Sequence, residues 1–151
     1  MDINSYITGF ADGEACFMIS FSLRSKMKLK IEVRPSFSVS QHKKSKEIIF
    51  LFQEFFSCGG IRFSKKDQNY KFEVRNISDL INKVIPHFKK FPLKTIKRQE
   101  FERFSEICYL IYSNHHLSKE GLEKIIKLSE KVNVSSNKKY NRKDLLKIIA
   151  R

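Results

Sequence analysis

Tryptophan is absent from the chain, and acidic residues are scarce. Its 151 residues carry 16 Asp+Glu against 30 Lys+Arg, a formal net charge of +14. A folded domain with that excess repels itself, so the surplus cations point to an anionic partner, with nucleic acid first. No stretch approaches the roughly 18 apolar residues that a membrane-spanning helix needs. The basic residues are spread along the chain rather than gathered on one amphipathic helix, which also counts against a membrane partner. Cysteine is equally thin: Cys16, Cys58 and Cys108 are odd in number and widely spaced. With no CxxC and no Cys/His cluster, zinc has no support, and reduced, buried thiols are the expectation. His42, His87, His115 and His116 show no ligand spacing either. The opening residues MDINSYITGF are neither a signal peptide nor an Arg-rich transit peptide. The protein is therefore expected to act in the compartment where it is made. A mitochondrion or chloroplast is compatible with this, as is the abundance of Lys, Ile, Phe, Asn and Ser, which suggests AT-rich coding DNA. There is no low-complexity linker and no internal repeat.

What is present suits one domain. Hydrophobic residues make up 41% of the chain, and its 14 Phe can fill a core. The expected domain covers 1–151, with a core over about 4–112 and a helical extension over about 113–151. Residues 4–13 read as a helix, capped by Asn4 or Ser5 and closed by a left-handed Gly13. Residues 16–41 alternate polar and apolar in two strands, with a turn near 25–28. From Arg24 the polar parity runs through Lys26, Lys28, Lys30, Glu32, Arg34, Ser36 and Ser38. Residues 43–56 have helical apolar spacing broken by Cys58-Gly59-Gly60, and a hairpin follows over 61–65 and 70–75. Further helices are expected over 77–88 (ended or kinked near Pro86), 95–112, 117–132 with Ser118 as cap, and 141–149. The order α-β-β-α-β-β-α predicts an α+β fold. Its four-stranded antiparallel sheet, a saddle, has helices on one face and a polar, basic, Ser-rich other face, with extra helices at the C-terminus.

The most informative stretch is Ile7-Thr8-Gly9-Phe10-Ala11-Asp12-Gly13-Glu14. Gly9 and Gly13 lie four apart on one helical face. Glycine in a helix costs about 0.5–1 kcal/mol against Ala, and close approach of another backbone is the usual offset. Asp12 and Glu14 sit at the helix C-terminus, where the dipole already places negative charge. A local penalty without local gain points to function. Carboxylates with exposed helix carbonyls make an oxygen-rich site for a hard cation such as Mg²⁺. An ordinary helix stop with solvated acids is the competing reading of the same eight residues.

The stretch from Tyr6 to Ala15 resembles the motif that names the LAGLIDADG homing endonucleases. It occurs once and is followed by a strand. Three further segments resemble the family in order: Phe37-Ser38-Val39-Ser40-Gln41, then Asn69 to Val74 with Asn76-Ile77-Ser78-Asp79-Leu80, then Phe91-Pro92-Leu93-Lys94-Thr95-Ile96-Lys97. Two departures stand out: Glu14 replaces the commoner Asp, and Ala15 stands where Gly is usual.

The resemblance implies that Glu14 and Asp12 bind the metal, Mg²⁺ or Mn²⁺. It implies that Gln41 orders active-site water and that Lys97, or else Lys94, supports the charged transition state. Lys43, Lys44 or Lys46 would be the basic residue that follows Gln41. It implies hydrolysis of two phosphodiesters across the minor groove of double-stranded DNA, leaving short 3′ overhangs. One motif per chain supplies one acidic cluster, so cutting two strands calls for a homodimer packed through Gly9, Gly13 and Phe10. The basic sheet face is expected in the major groove. Contacts are expected from Ser20, Ser22, Arg24, Lys26, Lys28, Lys30, Arg34, Ser38, Arg62, Ser64, Lys71 and Arg75, with Lys138, Lys139 and Arg142 on phosphate. The alternatives are a non-catalytic DNA-binding protein of the same fold and an RNA-binding intron maturase using the same sheet.

Overall fold

The computed structural model of the chain describes residues 1–132 and 140–151. Lys138 and Lys139 lie outside the described residues. The elements follow in the order α1 (Ile3–Glu14), β1 (Ala15–Leu23), β2 (Ile31–His42), α2 (Lys46–Phe56), β3 (Gly60–Ser64), β4 (Asn69–Val74), α3 (Ile77–Asp79), α4 (Ile85–Lys90), α5 (Lys97–Tyr112), α6 (Lys119–Ser129) and α7 (Arg142–Ala150). The strands form one four-stranded antiparallel sheet in the order β1-β2-β4-β3. This is the α+β fold expected from the pattern.

The backbone contacts divide the chain into two interleaved units, Met1–Cys16 with Ser36–Arg98, and Phe17–Pro35 with Gln99–Arg151. In the first unit, β2 pairs with β4 and β4 with β3, so that Ser38 faces Glu73, Ser40 faces Lys71 and Arg62 faces Lys71. Phe37, Phe72 and Val74 point the other way and are fully buried. Helix α2 packs on β4 and β3. Its buried Phe52 and Phe56 join Phe37, Phe72 and Phe88 in a cluster of rings 5.5–6.4 Å apart, mostly tilted or edge-on, with Phe56 and Phe72 nearly parallel at 5°. Helix α2 ends at Ser57, whose backbone is left-handed, and Gly59 follows at φ +82°. A Cβ at Gly59 would lie 2.7 Å from both the Glu73 carbonyl oxygen and the Phe72 ring, so this turn demands glycine.

A buried polar pair lies in the same unit. Thr8 Oγ1 donates to the Phe91 carbonyl at 2.9 Å and lies 3.0 Å from His87 Nε2. Because the hydroxyl proton is spent on Phe91, Nε2 is the donor in that contact. Phe55, Phe56, Phe88 and Phe91 surround the imidazole at 4.8–5.6 Å, and burial pushes its pKa down to about 4.

The second unit is built on the alternation of β1. Phe17, Ile19 and Phe21 are buried, while Met18, Ser20 and Ser22 are half-exposed. Phe17 meets Phe101 and Phe104 of α5 at 5.3 and 5.2 Å. Helix α6 starts at Ser118, whose hydroxyl accepts the Gly121 N–H, and α7 starts at Asn141, which caps Lys143. Helices α6 and α7 pack together. Among the helices of the described residues, none is long and apolar enough to cross a membrane.

Several expectations are corrected. Alternation does not continue from Arg24 to Lys30: the chain turns there. Arg24 N–H bonds to the Lys30 carbonyl, Met27 N–H to that of Arg24 and Lys30 N–H to that of Met27, with Lys30 at φ +65°. Lys26, Lys28 and Lys30 therefore sit on a loop rather than on a strand face. Gly13 is not a left-handed stop, because α1 runs through Glu14 and passes directly into extended Ala15 at φ −79° and ψ 159°. That backbone accepts any L-residue, which accounts for Ala15 standing in for glycine. The cap of α1 is Asp2, which accepts from Asn4 N–H and from the Ser5 hydroxyl. Residues 77–90 stay helical through Pro86 because a π-turn over Leu80–Val84 precedes it. The wider turn ends where proline's missing N–H would have interrupted the ladder. Of the three cysteines only Cys108 is buried, with its thiol pKa raised by burial.

Candidate active site and nucleic-acid interface

The end of α1 carries two carboxylates with different surroundings. Helix α1 buries Ile7, Thr8 and Ala11. Asp12 and Glu14, following the last of these, fall at the exposed end, where the helix carbonyls run out of partners. Asp12 is turned onto the segment that starts α5. Lys94 N–H donates to its Oδ2 at 2.7 Å, and Thr95 donates to Oδ1 twice, through N–H at 3.1 Å and through Oγ1 at 2.6 Å. Partial burial raises the Asp12 pKa, but the Thr95 hydroxyl, the two N–H groups and the Lys97 charge outweigh it and lower the pKa overall.

Thr95 is in turn the cap of α5. Its Oγ1 accepts from Lys97 N–H at 3.3 Å, and its carbonyl accepts from Arg98 N–H at 3.0 Å. The Lys97 ammonium donates to the carbonyl of Ala15, the residue after Glu14. A cation there offsets the negative end of the α1 dipole.

Glu14 is exposed, and among the described residues no hydrogen bond or ion pair engages its carboxylate. Gln41 lies on β2 opposite Tyr70, on the parity of Phe37 and Val39 rather than that of the Ser-rich face. Its side chain likewise has no hydrogen-bond partner among the described residues. Lys43 donates to Gln68 Oε1 at 3.0 Å. Lys44 and Lys46 are exposed. The structure thus brings Asp12, Lys94, Thr95 and Lys97 together beside Glu14, and among the described residues no hydrogen bond links them to Gln41.

The opposite face of α1 is open. Tyr6, Gly9 and Gly13 form an exposed stripe at helical spacing, and a Cβ built on either glycine meets nothing within 4 Å. Phe10 is instead half-buried, with its ring 5.9 Å from Phe52 of the same chain.

The outward faces of the strands carry the cations. In the first unit Glu73 is ringed by Lys71, Arg62 and Arg75 at 3.4, 3.8 and 3.9 Å. Arg62 and Lys71 stand directly opposite each other, a like-charge pair that a sheet ordinarily avoids and that Glu73 partly neutralises. Ser64 is exposed, whereas Ser38 is only 9% accessible. In the second unit Glu32 accepts from Arg24 Nε at 2.7 Å, Arg34 at 3.3 Å and Ser22 Oγ at 3.2 Å. The bonds from Arg24 and Arg34 drive the Glu32 pKa down to about 2 against a small burial effect. Ser20 is half-exposed on the same parity of β1. Arg142, expected on phosphate, is instead buried, with its guanidinium 4.7 Å from the Phe21 ring centre. Parity marked Glu32 as a surface residue; what it missed is that Glu32 and Glu73 each gather arginines around them.

A sequence profile of the LAGLIDADG endonuclease family matches residues 7–108. This chain belongs to that family. It is 32% identical over 123 residues to a Neurospora crassa protein named probable intron-encoded endonuclease 2, a match covering 81% of this chain and 27% of the relative. The first curated relatives are much longer, and this chain spans about a quarter of their length. Among solved structures, the homing endonuclease I-TnaI superposes with a TM-score of 0.85 at 34% identity, covering 99% of this chain and 98% of its own. The archaeal intron-encoded homing endonuclease I-Vdi141I, solved in complex with DNA, superposes with a TM-score of 0.89 at 26% identity, covering 97% of this chain and 94% of its own. The matched span begins at Ile7 on α1 and includes both Asp12 and Glu14.

Proposed function

We propose that this chain is one half of a homodimeric, site-specific DNA endonuclease that makes a metal-dependent double-strand break with short 3′ overhangs in a long pseudo-palindromic target. The observation that carries the reading is the Glu14 carboxylate at the end of α1, which has no partner among the described residues and lies one residue from the Ala15 carbonyl that holds the Lys97 ammonium. A helix C-terminus is the costly end for an unpaired acid, and a divalent cation would remove that cost. The donor set fits one, since carboxylate and main-chain oxygens are the hard ligands that Mg²⁺ or Mn²⁺ takes. Within one chain, no cluster of three or more His, Cys, Asp or Glu forms among the described residues. Phosphate oxygens and Glu14 of a second copy would complete the set.

The cation would supply an activated water and a counter-charge for the leaving oxygen. The chain's own residues do the rest. The Lys97 ammonium adds positive charge beside the scissile phosphate, and Gln41 would hold the attacking water by hydrogen bonds. Arg24, Arg34, Arg62 and Arg75 can pair bidentately with guanine edges in the major groove. Lys26, Lys28 and Lys30, on their loop, suit phosphate better than bases.

The open Tyr6–Gly9–Gly13 stripe supports a second copy as the partner of α1, since two such faces let backbones approach closely. Gly9→Leu is expected to convert the dimer to monomer in sedimentation; an unchanged dimer mass would contradict this packing. The intron-encoded naming of the Neurospora relative supports action in the compartment that houses such an intron. The test of function is a duplex library incubated with Mg²⁺ or Mn²⁺ and sequenced at the ends. The expected result is one long site broken with a 3′ overhang; no metal-dependent break would refute the reading.

A further inference from the structure

The motif's two acids are expected to share the cation, yet the geometry separates them. Both Asp12 oxygens already accept hydrogen bonds, three in all, and every donor belongs to Lys94 or Thr95. Those two residues lie immediately ahead of α5, and Thr95 caps it through Lys97 N–H and Arg98 N–H. Lys97 is the first residue of α5 and donates back to Ala15. The ring closes: α1 end, Asp12, Thr95, start of α5, Lys97, Ala15, α1 end.

We propose that Asp12 is a positioning residue, fastening the Lys94–Thr95 turn to the end of α1 and so fixing where the Lys97 ammonium lies. This rests on the endonuclease reading for its kinetic consequence but not for its structural one. Two charge-assisted N–H bonds and a short hydroxyl bond hold a segment more than 80 residues away in sequence, and strong acceptors of this kind are used where geometry matters. A misplacement of about 1 Å in such a supporting group can cost about 100-fold in rate.

The experiment compares the full chain with Asp12→Asn, Thr95→Val, Thr95→Ser and Glu14→Gln. Amide hydrogen exchange at Lys94 and Thr95 needs no DNA. The clamp predicts fast exchange at both in Asp12→Asn and wild-type protection in Glu14→Gln; unchanged protection in Asp12→Asn overturns the proposal. Titration of Ca²⁺ into the protein–duplex complex then separates clamp from ligand. Affinity should stay within about twofold of wild type in Asp12→Asn and collapse in Glu14→Gln; an equal collapse in both makes Asp12 a ligand and overturns the proposal.

On the duplex recovered from the library, Asp12→Asn and Thr95→Val should lower kcat tenfold or more with KM unchanged, and Thr95→Ser should restore it. Asp12→Asn should lower the rate no further in a Lys97→Ala background. A loss carried by KM, or full additivity with Lys97→Ala, goes against positioning. If wild-type protein cuts no duplex, the endonuclease reading fails while the exchange result still decides the clamp.

Discussion

The outward sheet faces and the end of α1 treat acidic side chains in opposite ways. On the sheet every acid is surrounded by cations: Glu32 by Arg24 and Arg34, Glu73 by Arg62, Lys71 and Arg75. At the helix end, Asp12 is saturated by neutral donors, while Glu14 has no partner among the described residues. The contrast separates two uses of negative charge. Where cations crowd one another, a glutamate among them lowers their mutual repulsion. An acid without a partner is instead open to an incoming cation.

The comparison can be broken at each end. The largest effect is expected from Glu14→Gln, which should abolish cutting while duplex binding, measured by gel shift, is retained; a variant that cuts at the wild-type rate would remove Glu14 from the chemistry. Salt should act on the sheet instead. If the faces make six to ten phosphate contacts, affinity should fall by about 10³–10⁵ between 50 and 200 mM salt, and a flat response in fluorescence anisotropy would deny those contacts.

A smaller effect lies inside the fold. His87 has its pKa held near 4 by burial, below its ordinary 6.5, so the unfolded chain binds the extra proton first. Its contribution is intact above pH 6.5 and is lost as pH falls from 6.5 toward 4, by a few kcal/mol at most. His87→Leu should flatten that part of the urea-midpoint curve; an unaltered slope would place the titration elsewhere.

The smallest effect belongs to Glu32. Its pKa, about 2 against an ordinary 4.5, means that its stabilisation is present above pH 4.5 and fades as pH drops toward 2. Solvent exposure holds this below about 1 kcal/mol. Glu32→Gln should therefore change the urea midpoint little at neutral pH and leave cutting intact; if Arg24 and Arg34 read bases as proposed, it should also relax base preference in the library, and unchanged preference would deny Glu32 a role in orienting them.

The fold was legible because its signals are periodic and local. The alternation of Phe17, Ile19 and Phe21 reports a half-buried strand, and Ser118 and Asn141 announce helices through their own hydroxyl and amide oxygens. Periodicity misled where a turn imitated it: Lys26, Lys28 and Lys30 alternate with Met27 and Leu29, but three backbone bonds and a left-handed Lys30 take that segment out of the sheet. Asp12 and Glu14 stood out by their place at a helix C-terminus, and Lys97 through the resemblance of the Phe91–Lys97 segment. The partner of Asp12 did not, because Thr95 is 83 residues away and nothing in its neighbourhood marks it as the recipient of a carboxylate. Long-range hydrogen bonds between polar groups leave no period in the sequence.

The most direct test of the central claim is a mixed dimer. One tagged wild-type chain and one differently tagged Glu14→Gln chain, co-expressed and purified through both tags, should nick a supercoiled plasmid carrying the target, opening it to the relaxed circle without linearising it. Each chain would then own one strand through its own Glu14. Linear product at the wild-type rate from that mixed dimer would contradict the account.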